Sequence, residues 1–245
     1  STRWERYPRD VIPLWVADTA FRAPPAGLAA ISRRLEHGIL GYTTPPAELR
    51  DAVIERMQRL YGWRLEPDWV VFVSGVVPGL HLAARHLTRP DEHALVPTPV
   101  YHHLKRSLEL APRAHTDVPL VLSNGRWVWD EAFLASAVKP DSRLLFLCNP
   151  QNPGGTIFTR AELARLAAFA EKHDLVICSD EIHADILLDE GKPHVPIASV
   201  SREASRRTVT LISPNKAFNF PGAGCAFAII EDPQLRRAFS TDHHA

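Results

Sequence analysis

Between residues 69 and 230, short β-rich apolar runs alternate with amphipathic stretches, and this alternation limits the fold more than any other feature of the chain. WVVFVS (69–74), HALVPT (93–98), RLLFLCN (143–149), DLVICSD (174–180), RTVTLIS (207–213) and CAFAII (225–230) read as strands. A Gly-containing turn and the helix-like LHLAARHL follow the first of them. Thr159 and Glu162 stand at capping-box spacing ahead of ELARLAAFAEKH, whose apolar residues recur at helical spacing. Strands that alternate with helices call for right-handed crossovers. The expected fold class is therefore α/β, a mostly parallel sheet flanked by helices on both faces.

Residues 1–29 break that rhythm. They are Pro-rich and carry WVAD, and they predict a segment that packs on the core without joining its winding. The core domain is expected over 30–245, with helical pattern beginning near Pro25. At the far end the chain stops a few residues after the helix-like PQLRRAF with no closing element, so both ends look cut. The terminal pair His243 and His244 reads as a frayed polar end rather than a ligand site.

Charge and cysteine usage narrow the partners. A chain of 245 residues, 45% apolar, is long enough for one large α/β core. Lys plus Arg and Asp plus Glu are both 28, so a formal net charge of zero draws the chain toward neither nucleic acid nor anionic lipid. A small-molecule partner is the better expectation. Cys148, Cys178 and Cys225 lie far apart, in or beside apolar runs, which suits buried free thiols in a reducing compartment and argues against a disulfide framework or a zinc site. No apolar run approaches the roughly 18 residues of a membrane span, and STRWERYPRD lacks a signal-peptide pattern. A cytoplasmic location, with no metal, is expected.

In such a sheet, ligands bind at the carboxyl ends of the strands. Four places there carry polar or glycine-rich residues: Ser74 to Gly79, Asn149 to Gly155, Ser179 to His183, and Ser213 to Lys216. The first joins a strand to a helix, where backbone N–H groups can bind phosphate without cationic side chains. Ser213 can add a hydroxyl. Asp180 ends LVICSD, and a carboxylate there is either a helix cap or a partner that keeps a pyridine nitrogen protonated. Lys216 follows TLIS, where desolvation would make a lysine attack an aldehyde more readily; an exposed lysine beside a turn is the alternative.

Taken in order, SGVVPGL, PVY, NPQNPGG, SDEIHAD and SPNKAFN resemble the fold-type I pyridoxal-phosphate enzymes of the class I/II aminotransferase superfamily, and within them the MalY/PatB-like cystathionine β-lyase branch. The likeness runs from about Trp4 to the end and includes WVAD and GYT at 41–43. It implies the large domain of that fold, with pyridoxal 5'-phosphate as cofactor. It further implies that Lys216 forms the Schiff base and later moves the Cα proton, and that Asp180 pairs with the pyridinium nitrogen. Asn152 would hydrogen-bond the phenolate oxygen, with His183 where related enzymes often carry a tyrosine to that atom. Tyr101 would stack on the ring, and Gly75, Val76, Val77 and Ser213 would hold the phosphate. Tyr42 would reach the cofactor of a neighbouring subunit, which implies a homodimer. Asn219 matches a family position without an assigned role.

Three departures stand out. The family's WVADMDF is here Trp15-Val16-Ala17-Asp18-Thr19-Ala20-Phe21, and the usual serine before the lysine is Asn215. The C-terminal small domain, whose arginine grips the substrate carboxylate in the family, is expected to be missing from this chain. The first functional expectation is a carbon–sulfur β-lyase acting on cystathionine or a related cysteine S-conjugate, releasing thiol, pyruvate and ammonia. An aminotransferase is the alternative, and a non-catalytic cofactor-binding regulator is a second. GVVPGL, SDEIH and the lack of an arginine soon after Lys216 favour the lyase; the missing helix-turn-helix pattern and basic surface disfavour a DNA-binding regulator.

Overall fold

A computed structural model describes residues 1–189 and 191–241. The terminal histidines His243 and His244 lie outside them. The core is one eight-stranded sheet: β1 (Val70–Val73), β2 (His93–Thr98), β3 (Ala114–Ser123), β4 (Arg126–Trp129), β5 (Ser142–Cys148), β6 (Val176–Asp180), β7 (Thr208–Ile212) and β8 (Ala226–Ile230). Their spatial order is β1-β8-β7-β6-β5-β2-β3-β4. The central pairs β2/β3, β2/β5, β5/β6 and β6/β7 are parallel, as the alternating sequence requires. β8 runs against both β7 and β1, so β1 points the same way as β7 although it bonds only to β8.

The helices are α1 (Thr2–Glu5), α2 (Pro25–Glu36), α3 (Ala47–Tyr61), α4 (Val76–His86), α5 (His102–Leu110), α6 (Glu131–Ala137), α7 (Arg160–Lys172), α8 (Arg202–Arg206) and α9 (Pro233–Phe239). The period of two within each strand sends side chains to opposite faces. Along β5, Leu144, Phe146 and Cys148 join the core under α4, α5 and α9, while Leu145 and Leu147 join the core under α6, α7 and α8. A third cluster sets Val53 and Met57 of α3 against Phe227 and Ile229 of β8. α7 begins with the expected capping box: Glu162 N–H donates to Thr159 Oγ1 at 3.2 Å, and Thr159 N–H donates back to Glu162 Oε2 at 2.7 Å. Gly79 lets α4 lie close to β7, because a Cβ there would come within 2.8 Å of Leu211.

Two features depart from the strand pattern expected of the sequence. Trp69 belongs to a single turn of 3₁₀ helix rather than to β1. The β3–β4 hairpin was not anticipated, because β3 contains Pro119 and is largely half-exposed, while every residue of β4 is half-buried. Its signal was Asn124-Gly125, whose φ values of 48° and 75° suit the turns that close two-residue hairpins.

Residues 1–46 are different in kind: only Pro13 among them is buried, and α2 buries nothing. The segment reaches the sheet domain chiefly through the turn that follows Ser213, described below. Among the described residues no helix is long and apolar enough to cross a membrane.

Candidate active site

Parallel pairing brings the carboxyl ends of β2, β5, β6 and β7 to one edge of the sheet, and two antiparallel pairings through β8 bring that of β1 there as well. Gly75, Tyr101, Asn152, Asp180 and Ser213 therefore emerge side by side although they are spread over more than half of the chain. Lys216 follows Ser213 in the same cluster. Four of the five sequence motifs quoted above thus reach this edge through strands of one parallel-running set, and SGVVPGL joins them because β1 runs with β7.

Asp180 is the centre of it. It is 3% exposed, and one carboxylate oxygen accepts a 3.1 Å hydrogen bond from Ile182 N–H. No cation forms an ion pair with it among the described residues. Burial pushes its carboxyl up to about 6; the Ile182 bond and the Lys216 charge hold it down, and neighbouring Glu181 adds to the rise. A buried carboxylate with this little compensation is poised to take a cationic N–H. Tyr101 is half-buried; burial first, then the charge of Asp180, raises its phenol above the ordinary range. His183 is held below the usual imidazole value by burial and by the nearby Lys216. Tyr101 and Lys216 thus feel the Asp180 carboxylate, and His183 feels Lys216. Burial and Asp180 likewise keep the thiols of Cys148 and Cys178 protonated and inert.

The first turn of α4 supplies backbone donors. Gly75 is its N-cap with no side-chain cap, and Gly79 N–H bonds Gly75 O at 3.1 Å, so the N–H groups of Gly75, Val76 and Val77 have no intrahelical partner. Ser213 is otherwise engaged. Its hydroxyl donates to Cys225 O at 2.6 Å and accepts from Asn215 N–H at 3.1 Å. Asn152 sits half-buried in a turn held by Gln151, whose amide donates to Pro99 O at 2.6 Å, two residues before Tyr101. That contact ties the Asn152 turn to the Tyr101 turn. Tyr42 is fully exposed.

Two supporting arrangements escaped the sequence reading. Glu181 is buried; it accepts from Ser179 Oγ at 2.8 Å and Ile197 N–H at 3.2 Å, and meets His194 Nε2 at 2.7 Å. This pair fastens the turn between Asp180 and His183 to the 194–197 stretch. SDEIH pointed to Glu181, but nothing local pointed to His194. The second arrangement is Asn219, which binds the backbone of Thr19 and Phe21 across 198–200 residues of sequence. Its place three residues after Lys216 was visible, and its partners were not.

Comparison with known proteins agrees with this architecture. The family model described as aminotransferase class I and II matches residues 9–241. Cystathionine beta-lyase PatB of Bacillus subtilis is 37% identical over 98% of this chain and 63% of its own length. The crystal structure of OvoB superposes with a TM-score of 0.96 at 41% identity, covering 98% of this chain and 64% of that one. Cystalysin from Treponema denticola, whose crystal structure contains pyridoxal 5'-phosphate, gives a TM-score of 0.93 at 29% identity, covering 99% of this chain and 64% of that one. The chain thus spans less than two thirds of the length of these relatives. With the family model covering nearly all of it and the sheet, helices and strand-end cluster arranged as above, the chain belongs to the aminotransferase class I and II family, of fold type I.

Proposed function

We propose that the protein is a pyridoxal 5'-phosphate-dependent carbon–sulfur β-lyase that cleaves cystathionine or a related cysteine S-conjugate to thiol, pyruvate and ammonia. The observation that carries the reading is Asp180, buried near Lys216 at the carboxyl ends of β6 and β7 with no ion pair among the described residues. Similarity to the cystathionine beta-lyase PatB supports the lyase over other chemistries of the family.

The residues present fit this cofactor. The free N–H groups of Gly75, Val76 and Val77 suit a phosphate at a helix N-terminus. Ser213 would join them by turning its hydroxyl away from Cys225 O. Asp180 would receive a ring N–H and keep it protonated, Tyr101 would cover one ring face, and Asn152 and His183 would donate to the ring oxygen. When bound, the cofactor supplies an electron sink for charge developing at the substrate Cα. Lys216 would hold the cofactor covalently through Nζ and, once displaced by substrate, take the Cα proton. A thiolate at Cβ then leaves as that charge develops. Asp180 acts throughout by charge, and its contribution is largest where negative charge on the substrate is greatest.

The working unit of this proposal is a homodimer in which Tyr42 serves the neighbouring subunit's site. Full exposure of Tyr42, with Leu35, Ile39 and Leu40 ahead of it 60–69% exposed, supports a covering partner for this stretch. Mixing a Tyr42→Phe subunit with a Lys216→Ala subunit, each inactive alone, should restore about one site per heterodimer.

An aminotransferase is the second reading, favoured by the family itself and using nearly all the same residues. The complete protein decides between them. Pyruvate and thiol release from cystathionine is compared with keto-acid-dependent amino transfer from several amino acids. Thiol release far above the cofactor-only background is expected. Dominant amino transfer replaces the lyase reading, and cofactor binding with neither activity leaves a regulatory role.

A further inference from the structure

Residues 17–21 lie over Lys216 without a hydrophobic anchor of their own, since none of them is buried. Three of the hydrogen bonds that hold them come from one side chain. Asn219 Oδ1 accepts from Thr19 N–H at 3.0 Å, and Asn219 Nδ2 donates to Thr19 O at 3.3 Å and to Phe21 O at 2.7 Å. The amide thus engages the strap's backbone as a neighbouring strand would, reading no side chain. The backbone of Asn219 is equally committed: its φ is 53°, a left-handed value that asparagine tolerates, and its N–H closes the turn onto Lys216 O. One residue therefore shapes the lysine turn and grips the strap.

The consequence falls on the lysine amine, whose Nζ donates to Ala17 O at 3.1 Å, two residues from the gripped Thr19. Phe220 adds a second fixing point, packed so closely on Gly27 that a Cβ there would come within 2.6 Å of its ring. Arg3 adds an ion pair to Asp18 Oδ1 at 2.8 Å. We propose that Asn219 is a positioning residue: it latches the 17–21 strap to the Lys216 turn so that the Ala17 carbonyl aims the Lys216 amine. The proposal rests on Lys216 being the cofactor lysine, as argued above.

The test uses Asn219→Gly in the complete protein, because glycine keeps the left-handed turn while removing the latch; Asn219→Ala adds backbone strain as a control. In the cofactor-free protein, hydrogen exchange at the Thr19 amide should rise about tenfold in Asn219→Gly, the effect of losing one well-formed hydrogen bond in a local opening. Acetylation of Lys216 by acetic anhydride, read by peptide mass spectrometry, should rise several-fold. In the loaded enzyme kcat should fall with KM nearly unchanged, because aim matters at proton transfer and not at substrate docking. Asn219→Asp, which keeps the acceptor but loses both donor bonds, should not restore kcat. Unchanged Thr19 exchange in Asn219→Gly overturns the latch. Raised exchange with unaltered Lys216 acetylation and kcat overturns its role in aiming the amine. A cofactor label on another lysine of the unaltered protein overturns the cofactor assignment and this role with it, while leaving the exchange result intact.

Discussion

Around Asp180 the strands on either side are buried almost residue for residue, whereas across residues 1–46 only Pro13 is. Both regions meet at Lys216, yet they are held by different forces. The sheet edge is placed by apolar burial on two faces, which is non-directional and collectively large. The N-terminal segment is placed by directional contacts that are individually modest: the Asn219 latch, Arg3 with Asp18, and the Lys216 to Ala17 bond. A site assembled from such unlike parts combines a rigid floor with a wall that another surface can complete.

The largest expected effect tests the floor. Lys216→Ala should lower thiol release from the complete protein by about 10⁴-fold or more, the upper range for a general acid–base group. It should leave the melting temperature nearly unchanged, because Lys216 is half-buried and its side chain, among the described residues, hydrogen-bonds only a strap carbonyl. Turnover within tenfold of the unaltered protein would remove Lys216 from the chemistry.

Next comes the contrast in stability itself. Leu145 is fully buried in the middle of β5, and Leu145→Ala should cost about 2–5 kcal/mol in urea unfolding. Leu14 is 82% exposed in the N-terminal segment, and Leu14→Ser should change stability by less than about 0.5 kcal/mol in dilute protein. A dependence of the Leu14→Ser effect on protein concentration would show that a second copy covers this segment, sharpening the dimer proposal. Equal costs at both positions would erase the contrast.

Asp180 gives an effect with a defined pH window. Burial raises its carboxyl from the ordinary 3.8 to about 6 in the cofactor-free fold, so keeping it charged disfavours folding above that pH. The associated stability is fully present below about pH 4 and lost as pH rises through about 6. Asp180→Asn should therefore stabilise the cofactor-free protein at neutral pH by up to about 3 kcal/mol, with the gain vanishing below about pH 4. The same substitution should weaken catalysis by about 10²–10³-fold, as for loss of a preorganised electrostatic partner. Stability loss at neutral pH would mean that a cation already compensates the carboxylate.

The smallest effect concerns the turn behind the floor. His194→Gln should keep a donor to Glu181, while His194→Leu leaves that buried carboxylate without this partner. We expect only the leucine variant to lower unfolding stability, by roughly the 1–3 kcal/mol of an unsatisfied buried group. Equal losses would mean that His194 acts by shape.

Much of this was legible in the linear order of residues, for reasons that can be named. Short apolar runs such as LLFLC and VIC must be buried on both faces, so the parallel α/β sheet followed from periodicity, and the strand ends followed from where each run stops. Asp180, Ser213 and Lys216 could be singled out because each sits just past such a run. The capping box at Thr159 and Glu162 was readable because its partners are three residues apart. Tertiary structure alone decided the rest. The β3–β4 hairpin is an edge element with weak apolar alternation, and the reversal of β8 is set by pairing with both β1 and β7. His194 finds Glu181 over 13 residues, and Asn219 finds Thr19 over 200. Periodicity is a property of neighbours along the chain, and it records which face a residue turns inward. A hydrogen bond between distant residues leaves no such period, because its partner is chosen by where the folded sheet brings the backbone.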